Sequence, residues 1–124
     1  MANPAFCLFL PLPPSTNKVW RQVNGVTLLS KPARTYRKTV GELVLTRGLG
    51  VSLPLTGRLK LVATLIQPDR RRRDLDNCFK ALLDALTHAG VWLDDGQIDV
   101  LTIHRDPPNK AQPGVLVTVT ELPL

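Results

Sequence analysis

Cysteine is scarce in this 124-residue chain: Cys7 and Cys78 are the only two, far apart and in no zinc-ligand spacing. With no zinc spacing to match, buried free thiols in a reducing compartment are expected. Long apolar runs are missing too. The opening MANPAFCLFLPLPPS carries no basic leader and is interrupted by prolines, so neither a signal peptide nor a membrane span is expected and the chain reads as cytoplasmic. No internal repeat or interdomain linker stands out, which leaves one domain over residues 1–124 as the expectation. What is present is an ordinary globular balance, 44% hydrophobic and 21% charged, which argues against wholesale disorder. Basic residues outnumber acidic ones 16 to 10, and a formal charge of +6 favours a polyanionic partner, with nucleic acid the default.

Local patterns give an element order. Phe6-Cys7-Leu8-Phe9-Leu10 is β-like and is closed by Pro11, Pro13 and Pro14. Asn24-Gly25 signals a type I′ turn, so Val19–Val23 and Val26–Ser30 are expected to form a hairpin. A helix is expected from Thr35 to about Arg47, with Tyr36, Val40, Leu43 and Val44 on one side and Gly48 ending it. Arg58–Ile66 alternates as a strand, with Leu59, Leu61, Ala63 and Leu65 on one face, and Pro68 stops it. Leu75, Phe79, Leu82, Leu83, Leu86 and Ala89 form an apolar helical stripe opposite Asn77, Lys80, Asp84 and His88, with Gly90 as the stop. Ile98–His104 and Val115–Glu121 are β-like, separated by the loop PPNKAQPG. The order β-(hairpin)-α-β-α-β-β suggests an α/β or α+β domain, one mixed sheet flanked by two main helices.

Chemistry concentrates in PDRRRRDLDN, residues 68–77, where four arginines abut a pair of carboxylates. In an extended segment Asp74 and Asp76, two apart, project to the same side and face one point. The structural alternative is helix capping, which accounts for one aspartate but not two, and not for the arginines. Lys80 follows Asp76 by four residues: either an exposed ion pair on the helix or an ammonium beside a reacting phosphate. Asp94-Asp95 lies beyond a helix of about fourteen residues, roughly 21 Å long. It rejoins the first pair only if the chain turns back, and DDG alone reads more readily as a solvated turn. Converging carboxylates about 4 Å apart repel by roughly 4 kcal/mol at an effective dielectric of 20. They take up protons or bind a cation, and oxygen-only ligands select Mg²⁺ or Mn²⁺. Acids on a metal and arginines on the backbone, with a scissile phosphate between them, would give each sign its own partner.

DRRRRDLDN-x-x-K-A followed by DALT-x-AG-x-WLDD-x-Q closely resembles the RusA family of Holliday junction resolvases, and PLPPSTNKVWR is similar to the family's opening motif. The resemblance implies a small Mg²⁺-dependent endodeoxyribonuclease that cuts four-way DNA junctions as a homodimer, whose twofold symmetry matches that of its substrate. It assigns Asp74, Asp76 and Asp95 as metal ligands and Lys80 as the active-site lysine. Arg70, Arg71, Arg72 and Arg73, with Ser15, Thr16, Asn17 and Lys18, match its DNA-contacting positions, and Asp69 and Asp94 match as supporting groups. The competing class is a non-catalytic binder of branched or single-stranded DNA, which has no need of the carboxylates; a nuclease for flaps or forks is a nearer rival. Outside the motif, His88 is expected in solvent, His104 in a structural role, Trp92 in the core, and Trp20 in packing rather than stacked on a base.

Overall fold

The computed structural model describes residues 4–15, 20–48 and 51–123. Its strands are β1 (Phe6–Leu10), β2 (Trp20–Val23), β3 (Val26–Leu29), β4 (Leu59–Ile66), β5 (Ile98–Arg105) and β6 (Gly114–Glu121). The helices are α1 (Lys31–Arg47) and α2 (Phe79–His88), with 3₁₀ turns at Leu75–Cys78 and Asp95–Gln97. Four strands make one mixed sheet in the order β1-β6-β4-β5, antiparallel except for the parallel pair β4–β5, and β2 and β3 stand apart as a two-stranded hairpin. This is the expected α+β arrangement, a mixed sheet with two main helices.

The core follows from the strand alternation. Leu59, Leu61, Ala63 and Leu65 of β4 are all buried, beside Val115, Val117 and Val119 of β6 and Phe6, Leu8 and Leu10 of β1. Tyr36, Val40 and Val44 of α1 and Leu82 and Leu86 of α2 pack onto that face in the same cluster. Each such Leu contributes roughly 1.5–3 kcal/mol by leaving water. The helices therefore sit together on one side of the sheet, joined across their contact by an ion pair of Arg37 and Asp84.

Several boundaries differ from the sequence expectation. Helix α1 begins at Lys31, four residues earlier than Thr35, because Ser30 caps it by accepting from Ala33 N and Pro32 fits the first turn, where no N–H partner is required. The Asn24-Gly25 turn holds, with both residues at positive φ (50° and 77°), as a type I′ hairpin demands. Val19, expected in that hairpin, lies outside the described residues. The long apolar stripe is not one helix: Leu75–Cys78 is a 3₁₀ turn and only Phe79–His88 is α. Cys7 is exposed rather than buried and Cys78 is partly buried; both are free thiols. Trp92 is core at 1% exposure, whereas Trp20, expected to pack, is 45% exposed.

Candidate active site

Pro68 ends β4, and the next residues run without regular structure to Asp74. Asp69 organises this stretch. Its carboxylate accepts from Arg71 N at 2.9 Å and from Arg73 Nη1 at 2.8 Å. The Arg73 side-chain hydrogen bond, then that backbone N–H, holds the Asp69 carboxyl below the usual carboxylate range. From β5, the Arg105 guanidinium donates to Arg73 O. Arg73 is thus held from both sides, while Arg70, Arg71 and Arg72 remain exposed. The four arginines, Arg105 and residues Asp106, Pro107 and Pro108 line a cavity of about 530 Å³.

The two acids of the motif open onto different cavities. Asp74 lines one of about 300 Å³ together with Ser15, Leu12, Arg73, Asn77 and Cys78. Asp76 lines another of about 600 Å³ with Lys80, Leu83, Asp84, Thr87, Asp94, Asp95 and Leu101. The expectation that Asp74 and Asp76 face one point is corrected by the backbone. Asp74 is extended (φ −76°, ψ 136°), but the chain then enters a 3₁₀ turn. At three residues per turn, positions two apart diverge instead of sharing a side. Capping does not account for Asp74 either: it occupies the N-cap position, yet its side chain makes no capping hydrogen bond.

Asp95 reaches the Asp76 cavity because the chain reverses after α2. Gly90 takes φ 83°, Gly90 N donates to Thr87 O and Val91 N to Leu86 O, the paired bonds of a Schellman stop. Trp92 then anchors the returning segment: its ring is buried, its Nε1 donates to Thr87 Oγ1 at 2.6 Å, and Leu55 N donates to the preceding carbonyl, Val91 O, at 2.8 Å. The acid turn that follows is tied down by Gln97. Its Oε1 accepts from Leu93 N and Asp94 N at 2.8 and 3.0 Å, and its Nε2 donates to Leu55 O and Gly57 O, both at 2.9 Å. Asp94 completes a capping box by accepting from the Gln97 backbone. Its carboxylate therefore shapes the turn, and Asp95 beside it is exposed.

Asp84, in the same cavity, is neutralised. Arg37 grips it bidentately at 2.7 and 2.9 Å. Among the described residues Asp74, Asp76 and Asp95 have no ion-pair partner. Nor do three His, Cys, Asp or Glu side chains come together closely enough to hold one ion, among those residues. The donor chemistry nonetheless fits a hard divalent cation: exposed carboxylates, all oxygen, with a lysine across the cavity. Cys78 lines the Asp74 cavity as well, and burial, the larger cause, and Asp76 push its thiol up.

Of the remaining sequence candidates, Ser15 lines the Asp74 cavity, and Thr16, Asn17 and Lys18 lie outside the described residues. His88 and His104 are exposed. Sequence reasoning missed Arg37, Gln97 and Arg105. Arg37 and Asp84 are 47 positions apart with no local signal, whereas D-x-x-Q at residues 94–97 was a visible capping box.

Comparison with known proteins matches residues 11–120 to the family model described as Endodeoxyribonuclease RusA. The crossover junction endodeoxyribonuclease RusA of Escherichia coli (strain K12) is 38% identical over 118 residues, covering 94% of this chain and 95% of that protein. The enzyme of the same name from Shigella sonnei (strain Ss046) has the same identity and coverage. The one from Enterobacteria phage 82 is 40% identical over 114 residues, 91% of this chain and 92% of that protein. At that similarity across nearly the whole length, the chain belongs to the RusA endodeoxyribonuclease family.

Proposed function

We propose that this protein is a crossover junction endodeoxyribonuclease, Mg²⁺-dependent with Mn²⁺ as the other ion its ligands admit, which resolves Holliday junctions by paired symmetric nicks. The observation that carries the proposal is one cavity that gathers Asp76, Lys80 and Asp95 beside a four-arginine segment held by Asp69 and Arg105. Asp74, Asp76 and Asp95 would hold the ion. When bound it supplies charge neutralisation at a phosphate oxygen and a more acidic water. The Lys80 ammonium stabilises negative charge that builds on the phosphate. Arg70, Arg71, Arg72 and Arg73 bind backbone phosphates and fix the register of the strand, and Ser15, Thr16, Asn17 and Lys18 extend that contact from the N-terminal side.

A four-way junction offers two equivalent strands, and a C2 homodimer presents two equivalent sites, so one binding event positions both nicks. The test is a labelled four-way junction incubated with protein and Mg²⁺, with and without chelator, next to a fork and a linear duplex at the same salt. Wild type is expected to nick the junction symmetrically and only with the metal. Asp76→Asn is expected to lose cleavage by about 10²-fold or more, while junction binding stays equal or tightens because the arginines remain. Full nicking by that variant removes Asp76 from the site, and binding without any nicking by wild type returns the protein to the class of non-catalytic branched-DNA binders.

A further inference from the structure

The charge of this chain is segregated along its length. The first acidic residue is Glu42, and before it stand six basic ones, Lys18, Arg21, Lys31, Arg34, Arg37 and Lys38; the remainder carries ten of each sign. The whole excess of +6 therefore belongs to a region remote in sequence from the arginine tract. Arg37 is occupied by Asp84. On α1, Lys31, Arg34 and Lys38 recur at helical spacing, exposed, on the side opposite the buried stripe of Ala33, Tyr36, Val40 and Val44. Among the described residues none of the three, nor Arg21, has an ion-pair partner.

Stability does not explain these cations. The first turn of α1 holds Lys31 and Arg34 and no acidic residue, although the positive end of a helix dipole favours acids and disfavours bases. Sequence that suits the fold would place carboxylates there. The neighbouring β2–β3 hairpin packs through Leu29 onto Ala33 and Ala81, but its Trp20, Val26 and Leu28 are exposed, and two-stranded hairpins are marginal in water by themselves. Arg34 ties the two together by donating to Leu29 O at 3.1 Å.

We propose that the outer stripe of α1 and the adjoining hairpin form a second DNA-backbone contact, separate from the acid cavity, that grips a duplex arm of the branched substrate. The inference rests on the junction-binding function above for the identity of the DNA, but its test reads binding alone. Unpaired cations set on one side of a rigid helix match a polyphosphate surface, and each phosphate they neutralise releases counterions on binding.

Equilibrium binding of a labelled four-way junction, measured in chelator so that no strand is cut, is followed against salt for wild type and for Arg21→Gln/Lys31→Gln/Lys38→Gln. The triple variant is expected to bind a long-armed junction about tenfold more weakly at moderate salt. Its slope of log K against log salt should fall by about 0.9 for each phosphate no longer neutralised, so by about 2.7. With arms cut back to a few base pairs the two proteins should bind alike. Thermal melting establishes that the variant is folded, and the single Lys38→Gln, expected to lose about 0.9 of slope, serves if it is not. Equal slopes on long arms overturn the proposal, as does a variant whose association state changes while its slope does not, which would make this face a protein contact. If wild type binds but never nicks a junction with Mg²⁺ while the slopes still differ, the nuclease function falls and this surface stands.

Discussion

Gln97 is the residue on which the acid turn depends. Both ends of its amide are engaged: the oxygen by Leu93 N and Asp94 N, the nitrogen by Leu55 O and Gly57 O. All four partners are backbone groups of segments that have no regular ladder to fall back on. Replacement by alanine deletes four hydrogen bonds at once. At about 0.5–1.5 kcal/mol net each the gross loss is about 2–6 kcal/mol. The residue is only partly buried, so water takes up some of the freed groups, and about 2–3 kcal/mol is expected. For a chain of this size that lowers Tm by about 8–12 °C.

The isostere separates packing from hydrogen bonding. Gln97→Glu keeps the shape and the acceptor toward Leu93 and Asp94, but turns a second acceptor toward the carbonyls of Leu55 and Gly57, so it should cost about as much as alanine. In both variants Asp95 loses its fixed approach to the Asp76 cavity, and junction cleavage should fall while binding through the arginine tract persists. Denaturant midpoints and melting curves give the stability, and a filter or gel binding assay gives the affinity. Were Gln97→Ala to melt within about 1 °C of wild type, the four bonds would not hold the turn and the reasoning would fail.

Tyr36, the only tyrosine, donates to Pro11 O at 2.8 Å, so Tyr36→Phe should cost about 1 kcal/mol in urea unfolding. Burial, then Cys78, raises its phenol far above the ordinary value near 10; a raised folded pKa stabilises below the unfolded value and loses that contribution as pH rises, so phenolate absorbance should appear only together with alkaline unfolding, and a phenolate titrating in the folded chain would contradict it. The Asp69 carboxyl is depressed chiefly by its hydrogen bond to Arg73, so its contribution is present above the unfolded value and is lost as pH falls through the folded one. NMR titration of the Asp69 carboxyl in Arg73→Gln should move it back up toward the ordinary range; an unchanged titration would mean that Arg73 does not hold it.

What the sequence made legible was whatever depends on neighbours along the chain. Alternation along β4, the Asn24-Gly25 turn and the Gly90 stop each follow from a few adjacent residues, and each formed where expected. Contacts decided by the third dimension were not legible: the Arg37–Asp84 clasp joins two helices 47 residues apart, and the Arg105 guanidinium reaches Arg73 from a strand 32 residues on. The acidic pair shows how a local rule fails for a local reason. An i, i+2 argument assumes one backbone conformation across the interval, and here it changes inside it, from extended at Asp74 to 3₁₀ from Leu75. That single change gives Asp74 to the cavity of Ser15 and Arg73, and Asp76 to the cavity of Lys80 and Asp95. Only Leu75 lies between Asp74 and Asp76, so an ion that drew on both carboxylates would need their side chains reoriented. A strand seated across both cavities would meet the arginine that lines one and the lysine that lines the other, which is the arrangement a phosphate needs when one charge must hold it and another must act on it.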